Sequence, residues 1–216
     1  MAADPTPEPN RLERRKMRTR AALVRAAQTF IADGNVNVPI LEITKAADVG
    51  MGSFYNHFQT KDELFEAAVD DALEAHGAVL DALGDPSDDP AERFARSFRL
   101  TGRLHRKVPQ LSRVLLRSGT ELITADRGLA PRAIRDLQAA IDSGRFTADD
   151  PELAVVVAGG ALLALGQLLL DRPDRDDAAA TDRIAEDLLR MLGLPPDEAR
   201  TLSRAPLPTL DDLPVI

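Results

Sequence analysis

Apolar residues recur along almost the whole chain at helical spacing, and no alternating run bounded by turns interrupts them. The pattern predicts helix after helix. Asn10 and Glu13 have the spacing of a capping box and open a helix that runs toward Gly34. Its apolar stripe is Met17, Ala21, Val24, Ala27 and Phe30/Ile31, with Arg14, Arg15, Arg18 and Arg25 largely off it. Pro39 marks a new start: a short helix over 41–47, a tight turn at Asp48-Val49-Gly50, and a second short helix over 51–57. Thr60 and Glu63 form another capping box before a long run with Phe65, Ala68/Val69, Ala72/Leu73, His76 and Leu80 inward, ended by Gly84. The segment 85–90 (DPSDDP) is a connector, in which Asp89 and Pro90 restart the chain. Further helices are expected over 109–123, 131–143, 152–170 and 178–192. Prolines at 195, 196, 206, 208 and 214 predict an irregular tail. The fold class is all-α. Its parts are a disordered arm over 1–10, an N-terminal three-helix unit over 11–59, a helical body over 60–193 and the tail over 194–216.

Charge changes this picture more than composition does. The 216 residues carry a net charge of −8, but residues 1–61 sum to +3 and residues 62–216 to −11. Within 11–25 seven arginines and lysines face Glu13 alone. A basic front on an acidic body points to polyanion contact at one end, although an arginine-rich solvated face gives the same count. The chain has no cysteine, which excludes disulfides, thiol nucleophiles and cysteine-ligated metal sites. Without tryptophan and with one tyrosine, stacking platforms for single-stranded nucleic acid are not expected. The first residues lack the basic-then-apolar order of a secretory signal, so a cytoplasmic protein is expected.

Residues 43–58, ITKAADVGMGSFYNHF, carry the most information. Two short helices joined by a tight turn form a helix-turn-helix, whose second helix fits the major groove. Ile43, Ala47, Val49 and Phe54 have the apolar character to seal the angle between them. Asp48 stands where the turn requires a left-handed conformation, which Asp tolerates better than most residues. Gly50 and Gly52 cost helix propensity, a cost that makes sense if the backbone there approaches DNA closely. Thr44, Tyr55, His57, Thr60 and Lys61 are candidate phosphate contacts, with Arg14, Arg15 and Arg18 from the first helix. A generic helical hairpin, with Phe54 and Phe58 in its core, is the plainer alternative.

The string Phe54-Tyr55-Asn56-His57-Phe58-Gln59-Thr60-Lys61-Asp62-Glu63-Leu64, following Ile43-x3-Ala47-x-Val49, resembles the tetracycline-repressor (TetR) family of bacterial transcriptional regulators. The resemblance covers roughly residues 10–65. It implies a nine-helix subunit with three helices on DNA and a dimerising, ligand-binding body. It also implies that Tyr55, His57 and Lys61 anchor phosphates, and that Met51, Gly52, Ser53 and Asn56 face the groove. Of these Asn56 has the best hydrogen-bonding inventory for a base edge. The chain departs from the family pattern at Asp48 (usually Gly), Gly50 (usually polar), Pro39 (commonly Ser/Thr) and Leu41 (Arg in some members). Base readout is therefore expected to be sparse, with the first helix supplying much of the affinity.

In the body, 153–170 (LAVVVAGGALLALGQLLL) is long enough to approach a bilayer core, at about 27 Å. Gln167, three glycines and acidic flanks without a basic cytoplasmic flank argue against insertion. The preferred reading is a dimer helix pairing with 178–192, with Ala154, Ala158, Ala161, Leu165, Leu188 and Leu192 at the interface. Phe94, Phe98 and His105 share a helix face, with Leu111, Leu115 and Leu122 on the other side. Ordinary core packing explains the aromatics, and a small-molecule site is the sharper alternative. His76 reads as a satisfied interior histidine.

No metal-binding, phosphate-loop or nucleophile-elbow spacing occurs, so no cofactor, metal or catalytic residue is expected. The acidic clusters at Asp85/Asp88/Asp89 and Asp174/Asp176/Asp177 read as caps and loop solubilisers. The expected protein is a ligand-responsive repressor, not an enzyme. It would bind a palindromic double-stranded DNA operator as a homodimer, be released by a small molecule and have no membrane partner. A ligand-independent DNA-binding protein, and a helical small-molecule binder whose N-terminal hairpin only packs, are the alternatives.

Overall fold

The computed structural model describes residues 10–82, 89–126 and 128–208, without the side chains of residues 110 and 111. The arm over 1–9, most of the connector, Gly84, Asp85, Asp88 and the last eight residues lie outside the described residues. Among the described residues there are ten α-helices, one 3-10 turn and no strand. The chain divides into two compact units, Met1–Ala68 and Val69–Ile216.

The first unit holds α1 (Arg11–Ala32), α2 (Ile40–Ala46), α3 (Met51–Tyr55) and the start of α4 (Lys61–Ala82). Asn10 caps α1 as expected, accepting from Leu12 and Glu13 N–H while Glu13 accepts from its backbone N–H at 2.7 Å. The buried residues of α1 are Leu23, Val24, Ala26, Ala27, Ile31 and Ala32, so the predicted stripe fails at its front, where Met17 and Ala21 are exposed. Asp48 has φ 53°, the left-handed turn residue the sequence predicts, and Val49 N–H closes onto Thr44 C=O at 2.9 Å. Ile43, Phe54, Phe58, Leu64 and Ala68 join α1 in the core. Leu64 takes the place expected of Phe65, which is half-buried. Thr60 Oγ1 accepts from Glu63 N–H, but Glu63 reaches back to Gln59 N–H and not to Thr60 itself.

The second unit is built around α5 (Pro90–Lys107), which packs on α7 (Leu129–Asp142), α8 (Pro151–Asp171) and α9 (Asp177–Met191). Asp89, Asp150 and Asp176 cap α5, α8 and α9 through their side chains. α5 approaches α9 closely at Gly102, where a Cβ would run into Thr181. The helix expected over 109–123 is α6 (Pro109–Ser118) continued by a 3-10 turn, Gly119–Ile123.

The tail is not irregular throughout: α10 spans Pro196–Arg204 and packs on α5 and α9. Pro195 and Pro196 occupy its N-cap and first position, where a missing N–H costs nothing, so prolines that look like breakers start a helix. Buried Arg99 ties α10 down, donating to Leu202 and Ala205 C=O and to Asp182 of α9. Arg145 bridges Asp89 (2.8 Å) to Glu198 (2.6 Å).

Candidate DNA-binding and effector sites

In the first unit the residues expected at DNA fall into two groups. Met51, Gly52, Tyr55 and Asn56 are exposed, Ser53 is half-buried, and Arg14, Arg15 and Arg18 are exposed on α1. Tyr55 packs edge-on to Phe54 at 5.2 Å, which fixes its ring while the side chain stays in solvent. His57 and Lys61 are partly exposed. His57 is pushed below its ordinary value by burial, then by the positive charges of Lys16 and Arg20. Its ring is therefore held toward the neutral form, which still carries one N–H to donate. Thr44 corrects the expectation. It is 2% exposed and its hydroxyl donates to Leu41 C=O at 3.0 Å, so it serves the helix and is not free to meet a phosphate.

Gly50 and Gly52 have room around them: a Cβ added at either would meet nothing within 4 Å. Gly50 has φ −71°, an ordinary extended backbone. Neither packing nor conformation within the protein requires these glycines. This leaves the start of α3 a thin edge.

The second unit contains a cavity of about 370 Å³. Phe94, Phe98, His105, Leu115 and Leu122 line it, as the sharper reading expected; the side chain of Leu111 lies outside the described residues. α5 places Phe94, Phe98, Thr101 and His105 on one face at helical spacing, and α8 closes the far side with Val155, Ala158 and Leu162. The sequence reading missed a charged wall formed by Asp81, Arg93, Arg132, Arg135 and Asp136. Arg132 donates to both Glu74 oxygens, to Asp81 Oδ2 (3.0 Å) and to Gly128 C=O, and lies where a Cβ on Gly77 would stand. The Glu74 hydrogen bond holds Arg132 above the usual guanidinium range, against the opposing effect of burial. Asp136 is buried, accepts from Arg135 Nε at 3.1 Å, and stands 3.7 Å from Arg93 Nε. That last distance is too long for a hydrogen bond, and Arg93 Nε, buried, has no other partner. The wall therefore has hydrogen-bonding capacity to offer beside an apolar chamber, the usual build of a small-molecule site.

Two buried histidines belong to this region: His105 lines the cavity, and His76 bonds Thr101, which also lines it. His76 Nε2 bonds Thr101 Oγ1 at 3.1 Å, and Thr101 donates to Ser97 C=O, so Nε2 carries the proton and His76 Nδ1 has no partner. His76 is thus only half satisfied. His105 Nδ1 bonds Ser112 Oγ at 2.6 Å, and its ring rests where a Cβ on Gly166 would lie. Burial, with the charges of His105 and Arg132, pushes His76 down to about 4; burial also lowers His105, against the pull of the Leu162 carbonyl.

The profile of the tetracyclin repressor-like C-terminal domain matches residues 89–205, and that of the tetR family of bacterial regulatory proteins matches 22–68. The chain belongs to the TetR family. No curated protein matches this TetR-family chain. Ligand-free RolR is 37% identical over 88% of this chain and 98% of its own, with a TM-score of 0.72. RolR in complex with resorcinol is 36% identical over 91% and 98%, with a TM-score of 0.65. The fatty acid degradation regulator FadR from Bacillus halodurans shares the fold at 17% identity, covering 81% of this chain and 96% of its own, with a TM-score of 0.63. This TetR-family subunit thus has the helix-turn-helix and helical body that its motif implied, with ten helices in the described residues where nine were expected.

The expected dimer residues need correcting. Ala154, Ala158, Leu165, Leu188 and Leu192 are buried within the subunit, and Ala161 is half-buried against the same core, so these side chains are already used by their own chain. The exposed apolar side of α8 is instead Leu153, Val156, Val157 and Leu168. α8 is long and apolar enough to cross a membrane by length and composition, but its other side packs into the core of the second unit.

Proposed function

We propose that this TetR-family protein is a cytoplasmic repressor that binds a palindromic DNA operator as a homodimer and is released by a small hydroxylated aromatic molecule. The observation that carries the effector reading is the cavity, with phenylalanines on one side and paired carboxylates and guanidinium groups on the other. A phenolic hydroxyl donates to a carboxylate such as Asp136 or Asp81 and accepts from Arg93, Arg132 or Arg135, while its ring lies against Phe94 and Phe98. Resorcinol, the ligand of RolR, has this chemistry. The exposed side of α8 supports pairing with a second copy, since Leu153, Val156, Val157 and Leu168 recur at spacings of three, four and eleven along one helix face.

Calorimetry and thermal unfolding with resorcinol test the effector reading. A ligand at a hundredfold excess over its Kd stabilises the fold by about 2.7 kcal/mol. Asp136→Asn is expected to abolish most of that gain while leaving operator binding in place. Equal stabilisation of both proteins, or of neither, would remove the charged wall from ligand recognition.

A further inference from the structure

The solvent-facing side of α3 is poor in hydrogen-bonding groups. Of the five residues of α3, Phe54 is in the core and Gly52 has no side chain. That leaves Ser53, half-buried, with Tyr55 and the following Asn56. Two large aliphatic side chains face solvent instead: Leu41, 56% exposed in the first turn of α2, and Met51, 41% exposed at the first position of α3. Both belong to the helix-turn-helix, beside an α1 whose exposed arginines supply the charge complementarity for a polyanion.

The major groove offers apolar side chains one partner, the C5 methyl group of thymine; every other distinguishing feature there is a donor or an acceptor. We infer that Leu41 and Met51 read thymine methyl groups, and that this apolar contact supplies most of the base discrimination, with Asn56 and Ser53 contributing the polar remainder. The inference rests on the DNA-binding reading above and adds to it the chemistry by which bases are told apart. Gly50 and Gly52 fit the same picture. Without side chains on either flank of Met51, the helix start can come close enough for a methionine to touch a base edge. The phosphate contacts from α1 then set affinity, and the aliphatic pair sets sequence.

Deoxyuridine isolates the methyl group, since replacing thymine by uracil keeps the base pair and every donor and acceptor in the groove. The full-length protein is titrated against its selected operator with each symmetry-related thymine pair replaced in turn. Burying one methyl group is worth about a fourfold change in affinity, so loss from both half-sites gives about fifteenfold. At least one pair is expected to show a loss of this size, and Met51→Ala or Leu41→Ala is expected to erase the difference between thymine and uracil there. Both side chains are exposed, so the variants keep the parent melting temperature. An operator bound selectively but with equal affinity in all uracil forms would overturn the inference and leave the DNA-binding reading standing. Discrimination that persists in both variants would overturn it as well. Absence of any duplex affinity would overturn both.

Discussion

Replacing Gly52 with alanine should stabilise the protein and weaken its grip on DNA, two effects of opposite sign from one methyl group. Gly52 is the second residue of α3, in helical conformation, and an added Cβ meets nothing within 4 Å. Alanine is better than glycine in a helix by about 0.5–1 kcal/mol, because it loses less backbone entropy on folding. In a chain of this size that raises the melting temperature by about 1–4 °C. On the operator the same methyl group stands between the start of α3 and the base edges. A displacement that breaks one good base contact costs about 1.4 kcal/mol, or about tenfold in Kd. Thermal unfolding and titration of a labelled operator give the two numbers from one preparation. An unchanged Kd beside a raised melting temperature would refute the idea that close approach to DNA explains the glycine. A lowered melting temperature would refute the packing argument instead.

Changing Arg14, Arg15 and Arg18 together to alanine should weaken binding to all duplexes alike and flatten the salt dependence by about 0.9 in log–log slope per lost phosphate contact; an unchanged slope would take α1 off the DNA. Arg99→Ala removes a buried guanidinium from half-buried Asp182, which keeps Arg103 at 2.7 Å, and from the Leu202 and Ala205 carbonyls, and a loss of about 1–3 kcal/mol in urea unfolding is expected, against under 1 kcal/mol if α10 is incidental. His76 sits at about 4 in the fold against 6.5 unfolded, so its neutral form stabilises the protein above pH 6.5. That stability falls by about 1.4 kcal/mol per pH unit between 6.5 and about 4, and His76→Gln should flatten this part of the pH profile. An exposed Val157 on an apolar face predicts that Val157→Asp shifts the protein to monomer in sedimentation while its helicity is kept; a dimer that persists would place the interface elsewhere.

The parts of the fold that sequence makes legible are those decided locally. Asn10 and Glu13 cap α1, Asp48 takes the left-handed turn, and the spacing from Ile43 to Phe54 seals the helix-turn-helix, all within a few residues of chain. In the body, two expectations failed and one site was missed for reasons of tertiary context. α8 is apolar all round, so periodicity could not tell the side that packs at Leu165 from the side left exposed at Leu168. Pro195 and Pro196 read as breakers because nothing nearby in sequence shows that Arg99 and the faces of α5 and α9 await a helix there. The charged wall was missed because Asp81, Arg132, Arg135 and Asp136 look like solvated helix faces one at a time. The spacing of Arg132, Arg135 and Asp136 on one side of α7 was the available signal, and only the packing of α4 and α7 gives it a cavity to face.

Selection of bound sequences from a random duplex pool, run with and without resorcinol at two salt concentrations, tests whether this protein is an effector-released operator reader. A recovered inverted repeat with half-sites about one helical turn apart is expected, retained at the higher salt and weakened 5–150-fold in affinity when the ligand is present. Recovery of all sequences alike, or of none, would contradict it.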